Sequence, residues 1–181
     1  VNEMNTLVGC VSNDNVGNGF GTSNLGTGAF TNCVAQQNDQ AGFFLSSSAM
    51  LTGCTARSND DEGIRVGSAS RVVDCNSSDN GNDGIRLFDD SFASGNNCEG
   101  NGRLVAAAGI SASGIRNRID NNNVVDNPIG VEVLGSRNVI IRNTASLNTT
   151  NYSIGAGNAD AQVVAVGTGF ILTNAWANLA Y

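Results

Sequence analysis

Cys10, Cys33, Cys54, Cys75 and Cys98 follow one another at intervals of 21 to 23 residues, and after the first four an asparagine comes at the same distance, in the frames CVSNDN, CVAQQN, CTARSN and CNSSDN. Four residues beyond each of those asparagines (Asn15, Asn38, Asn59, Asn80) stands a glycine with a large apolar residue behind it: Gly19-Phe20, Gly42-Phe43, Gly63-Ile64 and Gly84-Ile85. Self-similarity at a fixed period of about 20 to 50 residues is the signature of a solenoid, in which each repeat stacks only on its neighbours. The frame outlasts the cysteines. Asn122 and Asn127, then Asn143 and Asn148, keep the spacing and lead to Gly130-Val131 and Ser153-Ile154, which makes about seven coils of 21–24 residues.

Each column of the repeat carries a physical demand. Phe43/Leu45, Ile64/Val66, Ile85/Leu87 and Val131/Val133 alternate with polar or small residues, the period of two expected of a strand with one buried face. A second apolar column lies three residues before the cysteine position (Leu7, Phe30, Leu51, Val72, Ile119, Ile140), with Gly95 as its gap. Small residues stand two places after the cysteine position (Ser12, Ala35, Ala56, Ser77, Gly100, Ala145), with Val124 the larger exception. Coils this short, with several strands and no helical period, predict an all-β parallel β-helix whose coils sit about 4.8 Å apart, so that equivalent residues form ladders. Asn15, Asn38, Asn59, Asn80, Asn127 and Asn148 are the expected asparagine ladder. Asparagine tolerates left-handed backbone at a turn and bonds amide to amide along the stack, and the glycines are expected to meet the same backbone need.

The runs SNDDEGIRV (58–66) and SDNGNDGIRL (78–87) resemble the generic repeat of right-handed parallel β-helix proteins of the pectate-lyase-like superfamily, over roughly residues 5 to 156. The resemblance implies a scaffold. In that family polysaccharide lyases, hydrolases and epimerases use acidic clusters on the helix exterior, for calcium or acid–base work, with an arginine or lysine as base in the lyases and a histidine in many hydrolases.

Residues 1–156 are expected to form the coils and 157–181 a closing coil and cap, with further polypeptide upstream. Trp176 is expected to plug the last coil, a sugar-stacking platform being the alternative. The few residues before Leu7 leave Leu7, Val8, Val11 and Phe20 of the first coil as an expected contact with an upstream domain or neighbouring subunit, and end-to-end assembly is the reading that follows from it. The cysteines are read as an inward column of free thiols. Five is odd, side-by-side cysteines on in-register strands bridge awkwardly, and no Cys-x-x-Cys or histidine supports a metal. A net charge of −7 argues against nucleic acid or an anionic membrane surface, and no apolar run is long enough to span a bilayer. Abundant Asn, Ser, Thr and Gly with no lysine suits an extracellular or cell-surface setting.

The best candidate chemistry is the acidic set Asp39, Asp60, Asp61, Glu62 and Asp83, from successive coils, with Arg65 and Arg86 on the outward position of the following strand. Stacking would bring these together as a calcium or glycan contact, or as a carboxylate pair able to cleave a glycosidic bond. A solvated turn network is the structural alternative. The insertion RLVAAA (103–108) reads as a contact with another subunit or domain, and Phe88, Asp89, Asp90 and Phe92 as an outward bulge. Without histidine a nucleophile–histidine arrangement is excluded. The resulting expectation is a non-catalytic scaffold or carbohydrate-contacting module, with no cofactor unless calcium. A lyase, hydrolase or epimerase is the enzymatic alternative.

Overall fold

A computed structural model describes residues 4–22, 27–165 and 174–181. Among these there is no helix, and all strands fall into three parallel sheets of eight, nine and seven strands. One coil shows the plan. Met50–Thr52 lies in the first sheet, Thr55–Arg57 in the second and Ile64–Val66 in the third, and the chain then rises one spacing to begin Arg71–Val73 directly over Met50–Thr52. Pairing is in register coil after coil: Leu51 on Val72, Ala56 on Ser77, Ile64 on Ile85.

The core is a triangular prism of stacked columns. The first sheet supplies Phe30, Leu51, Val72, Ala93, Ile119 and Ile140, the third Phe43, Ile64, Ile85, Ile110 and Val131, and the second Ala35, Ala56, Ser77 and Cys98, all buried. Small residues on the second sheet leave room for the large ones opposite, the complementarity that close packing demands. In the first coils Phe20 stacks on Phe43 at 4.9 Å, and Phe30 meets both edge-on.

The corners share one device, Ala177 before Asn178 being the exception. The residue before the inward-turning ladder residue is left-handed: Gln37, Ser58 and Asp79 (φ 53–55°) before Asn38, Asn59 and Asn80; Asn32 and Asp74 before Cys33 and Cys75; Ala69 and Asp90 before Ser70 and Ser91. The ladder asparagines are thus not the left-handed residues, contrary to the expectation from turn chemistry. They are selected for their amides. Asn80 Oδ1 accepts from the backbone N–H of Asn59 (3.1 Å) and from its side-chain amide (2.9 Å), while Asn80 Nδ2 donates to Ala56 O and to Asn101 Oδ1. The side-chain amide of Asn80 is thereby satisfied at a buried corner, which avoids about 1–3 kcal/mol for each polar group left unpaired; on the third corner Asn117 Nδ2 is the exception.

The glycines after this ladder also differ from expectation. None of Gly42, Gly63 or Gly84 has positive φ; a Cβ on Gly42 would lie 2.7 Å from both Asn59 Nδ2 and Gly63 O. Close approach of the next coil, rather than backbone freedom, requires glycine there.

Two further ladders emerge. Ser70, Ser91, Asn117, Asn138 and Asn158 run along the third corner. The cysteine corner passes from Cys75 to Asn96, Asn122, Asn143 and Asn178. Cys98 therefore does not belong to the cysteine column. It pairs with Ser77 in the second sheet, and Ala93, not Gly95, continues the apolar column of the first. The coil from Cys75 has the same 21-residue length as the one before it, so Asn96 takes the corner and Cys98 falls two residues beyond. Cys33, Cys54, Cys75 and Cys98 are buried, Cys10 at the first coil is half-buried, and all five are free thiols. Burial pushes the Cys33 and Cys98 thiols up, and the hydrogen bond to Cys54 followed by burial does the same for Cys75.

The ends close differently. At the first coil Val8 and Val11 are exposed, while Leu7 and Phe20 pack partly against the core. At the other end the strand Asn178–Ala180 inserts between Thr144–Ser146 and Val163–Ala165, so the last strand in sequence is not the last in the sheet. Trp176 is not the plug: it is 54% exposed. Tyr152 faces inward instead, its hydroxyl 2.7 Å from Asn143 O and 3.0 Å from Leu179 O.

Candidate functional site

The outer face of the third sheet is where chemistry-bearing residues gather. The repeat places one outward residue between the two inward ones of each strand, and register stacks them as Phe44, Arg65, Arg86, Ser111 and Glu132. The turn residue just before each glycine forms a parallel column, Ala41, Glu62, Asp83 and Ala108, linked by Gly42 N–H to Glu62 O, Gly63 N–H to Asp83 O and Gly84 N–H to Ala108 O.

Register therefore splits the predicted acidic set. Glu62 and Asp83 share a column and stand with Arg65 and Arg86. Asp39 and Asp60, both exposed, lie in a corner column that continues to the buried Gly81, Asp60 being 3.7 Å from Arg103, and Asp61 accepts a hydrogen bond from Asn82 Nδ2 at 3.1 Å. Among the described residues no three acidic or thiol groups converge as a metal site would require.

Glu62 is 1% exposed. Its Oε1 lies 3.5 Å from Arg65 Nη1 and 3.4 Å from Arg86 Nη1, and its Oε2 has no partner. Arg86 Nε is likewise buried and unpartnered. Asp83 accepts from the Ala108 N–H at 2.9 Å and is 4.0 Å from Arg86. Burial, followed by the charge of Asp61, pushes the Glu62 carboxyl above the usual carboxylate range; burial also raises Asp83. Two buried acids on an arginine face, both resisting ionisation, are the kind of perturbation found at functional sites as well as in structural networks.

Arg65 reaches the other way too. Its guanidinium lies 4.8 Å from the Phe44 ring centroid and 5.3 Å from that of Phe88, with Arg86 5.8 Å from Phe88. Phe44, Arg65 and Phe88, with Leu45, Ser46, Ser47, Gly67 and Ser68, line an open groove of about 310 Å³. Phe44 and the serines were not singled out from sequence. The available signal was that Phe44 holds the same repeat position as Arg65 and Arg86. The insertion forms a fixed projection beside the site: Gly102 N–H donates to Asn80 O and Asn82 O, and Leu104 N–H to Gly81 O, leaving the side chains of Leu104 and Val105 exposed.

No protein-family model matches the sequence, and no curated protein matches it. Solved structures do. The A-module of the Azotobacter vinelandii mannuronan C-5 epimerase AlgE4 superposes with a TM-score of 0.69 at 20% identity, over 87% of this chain and 54% of that one. Pectate lyase Pel9A gives 0.72 at 18% identity, over 84% and 48%. The A-module of the Azotobacter vinelandii epimerase AlgE6 gives 0.66 at 17%, over 97% and 57%. The chain has the parallel β-helix fold of pectate-lyase-like proteins. At these identities the likeness is one of fold, and this β-helix spans about half the length of each of the three.

Proposed function

We propose that this β-helix is a non-catalytic extracellular or cell-surface module that contacts an acidic polysaccharide along the outer face of its third sheet. The observation that carries the reading is the groove in which Arg65 lies between Phe44 and Phe88, beside Ser46, Ser47 and Ser68. Aromatic rings pack against the apolar faces of sugars, a guanidinium matches a carboxylate in a planar fork, and hydroxyls serve sugar hydroxyls. Strands stacked at a constant rise repeat such contacts along a line, the geometry that a polymer presents. Pectate and mannuronan, named for the structural neighbours, are both polyuronates, and polymers of that size are met outside the cell. No helix among the described residues is long and apolar enough to cross a membrane. The net charge of −7 opposes long-range attraction, so recognition must be short-range, within the screening length of about 8 Å at physiological salt.

Affinity electrophoresis tests this. Polygalacturonate or mannuronan in the gel should retard the chain while dextran should not, and Arg65→Ala and Phe88→Ala should each restore free mobility. Equal mobility in all gels would overturn the proposal, and equal retardation by dextran would overturn its acidic specificity.

A second reading, turnover of the same polymers by a lyase, hydrolase or epimerase activity, draws on Glu62, a buried carboxyl beside two arginines with one oxygen unpartnered. It predicts unsaturated uronate absorbance, new reducing ends or inverted C5 proton signals on incubation with polygalacturonate or mannuronan. The binding reading predicts none of these.

A further inference from the structure

Resting on the proposed polyuronate contact, we infer that Glu62 is an internal competitor for the ligand: it holds Arg65 and Arg86 in the place a uronate carboxylate would take, and its protonation releases both guanidiniums so that binding tightens as the pH falls.

The geometry is that of a counter-ion rather than a clamp. One oxygen of Glu62 is shared by two guanidiniums at 3.4–3.5 Å, longer than a charge-assisted hydrogen bond of about 2.7–2.9 Å. The other oxygen has no partner although it is buried. Arg65 and Arg86 are each about one-third exposed, so their outer edges reach the surface that a ligand would occupy. A bidentate carboxylate from outside would satisfy them better than the half-used one inside.

The charges facing Glu62 support the direction. On its own coil are Asp61, which disfavours a second negative charge, and Arg65. On the following coil are Asp83 and Arg86, and beyond Asp83 lies Glu132. The preceding coil offers Ala41 and Phe44, neither charged, and Arg103 on the adjacent insertion is directed to Asp60 and to the Asp79 carbonyl. Glu62 is thus the acid of this group that both arginines share, and its charged form is opposed by burial and by Asp61. A uronate carboxyl, with a pKa near that of a terminal carboxyl at roughly 3.5, stays charged over a range in which Glu62 becomes neutral.

Isothermal titration of the chain with galacturonate or mannuronate oligomers at fixed ionic strength, from pH 7.5 down to 4.5, reads the effect (roughly the range over which the ligand stays ionised). Affinity should rise at least about fivefold, the low end of ordinary coupling between sites. Glu62→Gln should bind at pH 7.5 as tightly as the wild type does in acid and lose most of the pH dependence. Asp60→Asn, which removes negative charge without freeing the arginines, should keep it. A wild-type slope that persists in Glu62→Gln, or a Glu62→Gln affinity at pH 7.5 no better than wild type, overturns the inference while leaving the polyuronate contact standing. Absence of binding by either protein at every pH overturns both. Should Glu62→Gln fail to fold, titration of the wild type in buffers of different ionisation enthalpy decides instead: the inference requires net proton uptake on binding within the same pH series, and none across it would overturn it.

Discussion

Two buried carboxylates on this β-helix each face two arginines, and they are built to opposite ends. Asp120, 3% exposed, on the outer face of the first sheet, takes Arg142 in a two-pronged bond (Nε to Oδ1 2.7 Å, Nη2 to Oδ2 2.6 Å) and Arg118 on the same Oδ2 at 2.9 and 3.1 Å. Burial works against its charge, but the bonds from Arg142 and Arg118 outweigh it and hold the carboxyl below its ordinary range. Glu62 has no comparable bond, and burial keeps it above that range. The difference lies in placement. Arg118 and Asp120 are two apart on one strand and so share its outward face, with Arg142 at the corner of the next coil directed onto them. Glu62 sits in the turn before its strand, and Arg65 is drawn between Phe44 and Phe88. Arg142, whose guanidinium also lies 5.2 Å from the Trp176 ring, ties the closing segment to the coil stack. One arrangement fastens the fold; the other leaves its arginines available.

The largest expected effect comes from breaking the clamp. Asp120→Ala should lower stability by about 2–3 kcal/mol, since it leaves two guanidiniums without their acceptor, a loss tempered by the near half-exposure of both arginines. Denaturant unfolding at neutral pH measures it, and a change as small as that of an exposed substitution would mean the clamp carries no stability. Next, Arg65→Ala should cost about 1 kcal/mol, the scale of two partly exposed cation–π contacts, while removing retention by polyuronate; the same unfolding curves and gels read both.

Glu62→Gln should act with the opposite sign, raising stability at neutral pH by about 0.5–1 kcal/mol, because burying an amide costs less than burying an underpaired charge. The pH dependence sharpens the contrast. The raised pKa of Glu62 makes its contribution greatest below its ordinary titration range and smaller as pH rises through its folded value. The lowered pKa of Asp120 makes its contribution present above its ordinary range and lost as pH falls through the folded value. Melting curves should therefore show Glu62→Gln converging on the wild type in acid, and Asp120→Asn less stable at neutral pH but converging only at lower pH still. Parallel curves for either variant would break the comparison. The smallest effect expected is with calcium. Glu62, Asp83, Asp60 and Asp61 are each occupied by an arginine or an amide, so millimolar calcium should leave the melting temperature within about a degree. A larger rise abolished by Asp61→Ala with Asp83→Ala would support the calcium expectation through mass action.

Most of the scaffold was legible along the chain because a solenoid converts sequence period into spatial column: the coil length, the three inward faces and the ladder through Asn15, Asn38, Asn59 and Asn80 need only counting. Cys98 shows where counting by residue type misleads. The five-residue spacing to the next ladder residue, Asn96 to Asn101, marks the corner, whereas the identity of the cysteine does not. The sequence by itself determined that successive coils stack and that acids and arginines recur on one exterior face. It could not say which acids meet which arginines, because two residues along one turn separate exposed Asp60 from buried Glu62. Nor could it place Asn178–Ala180 between earlier strands, or show that Asp120 is clamped while Glu62 is not. Those outcomes depend on the lateral register and on the reach of side chains across 3–5 Å, where packing and desolvation, rather than spacing along the chain, set the partners.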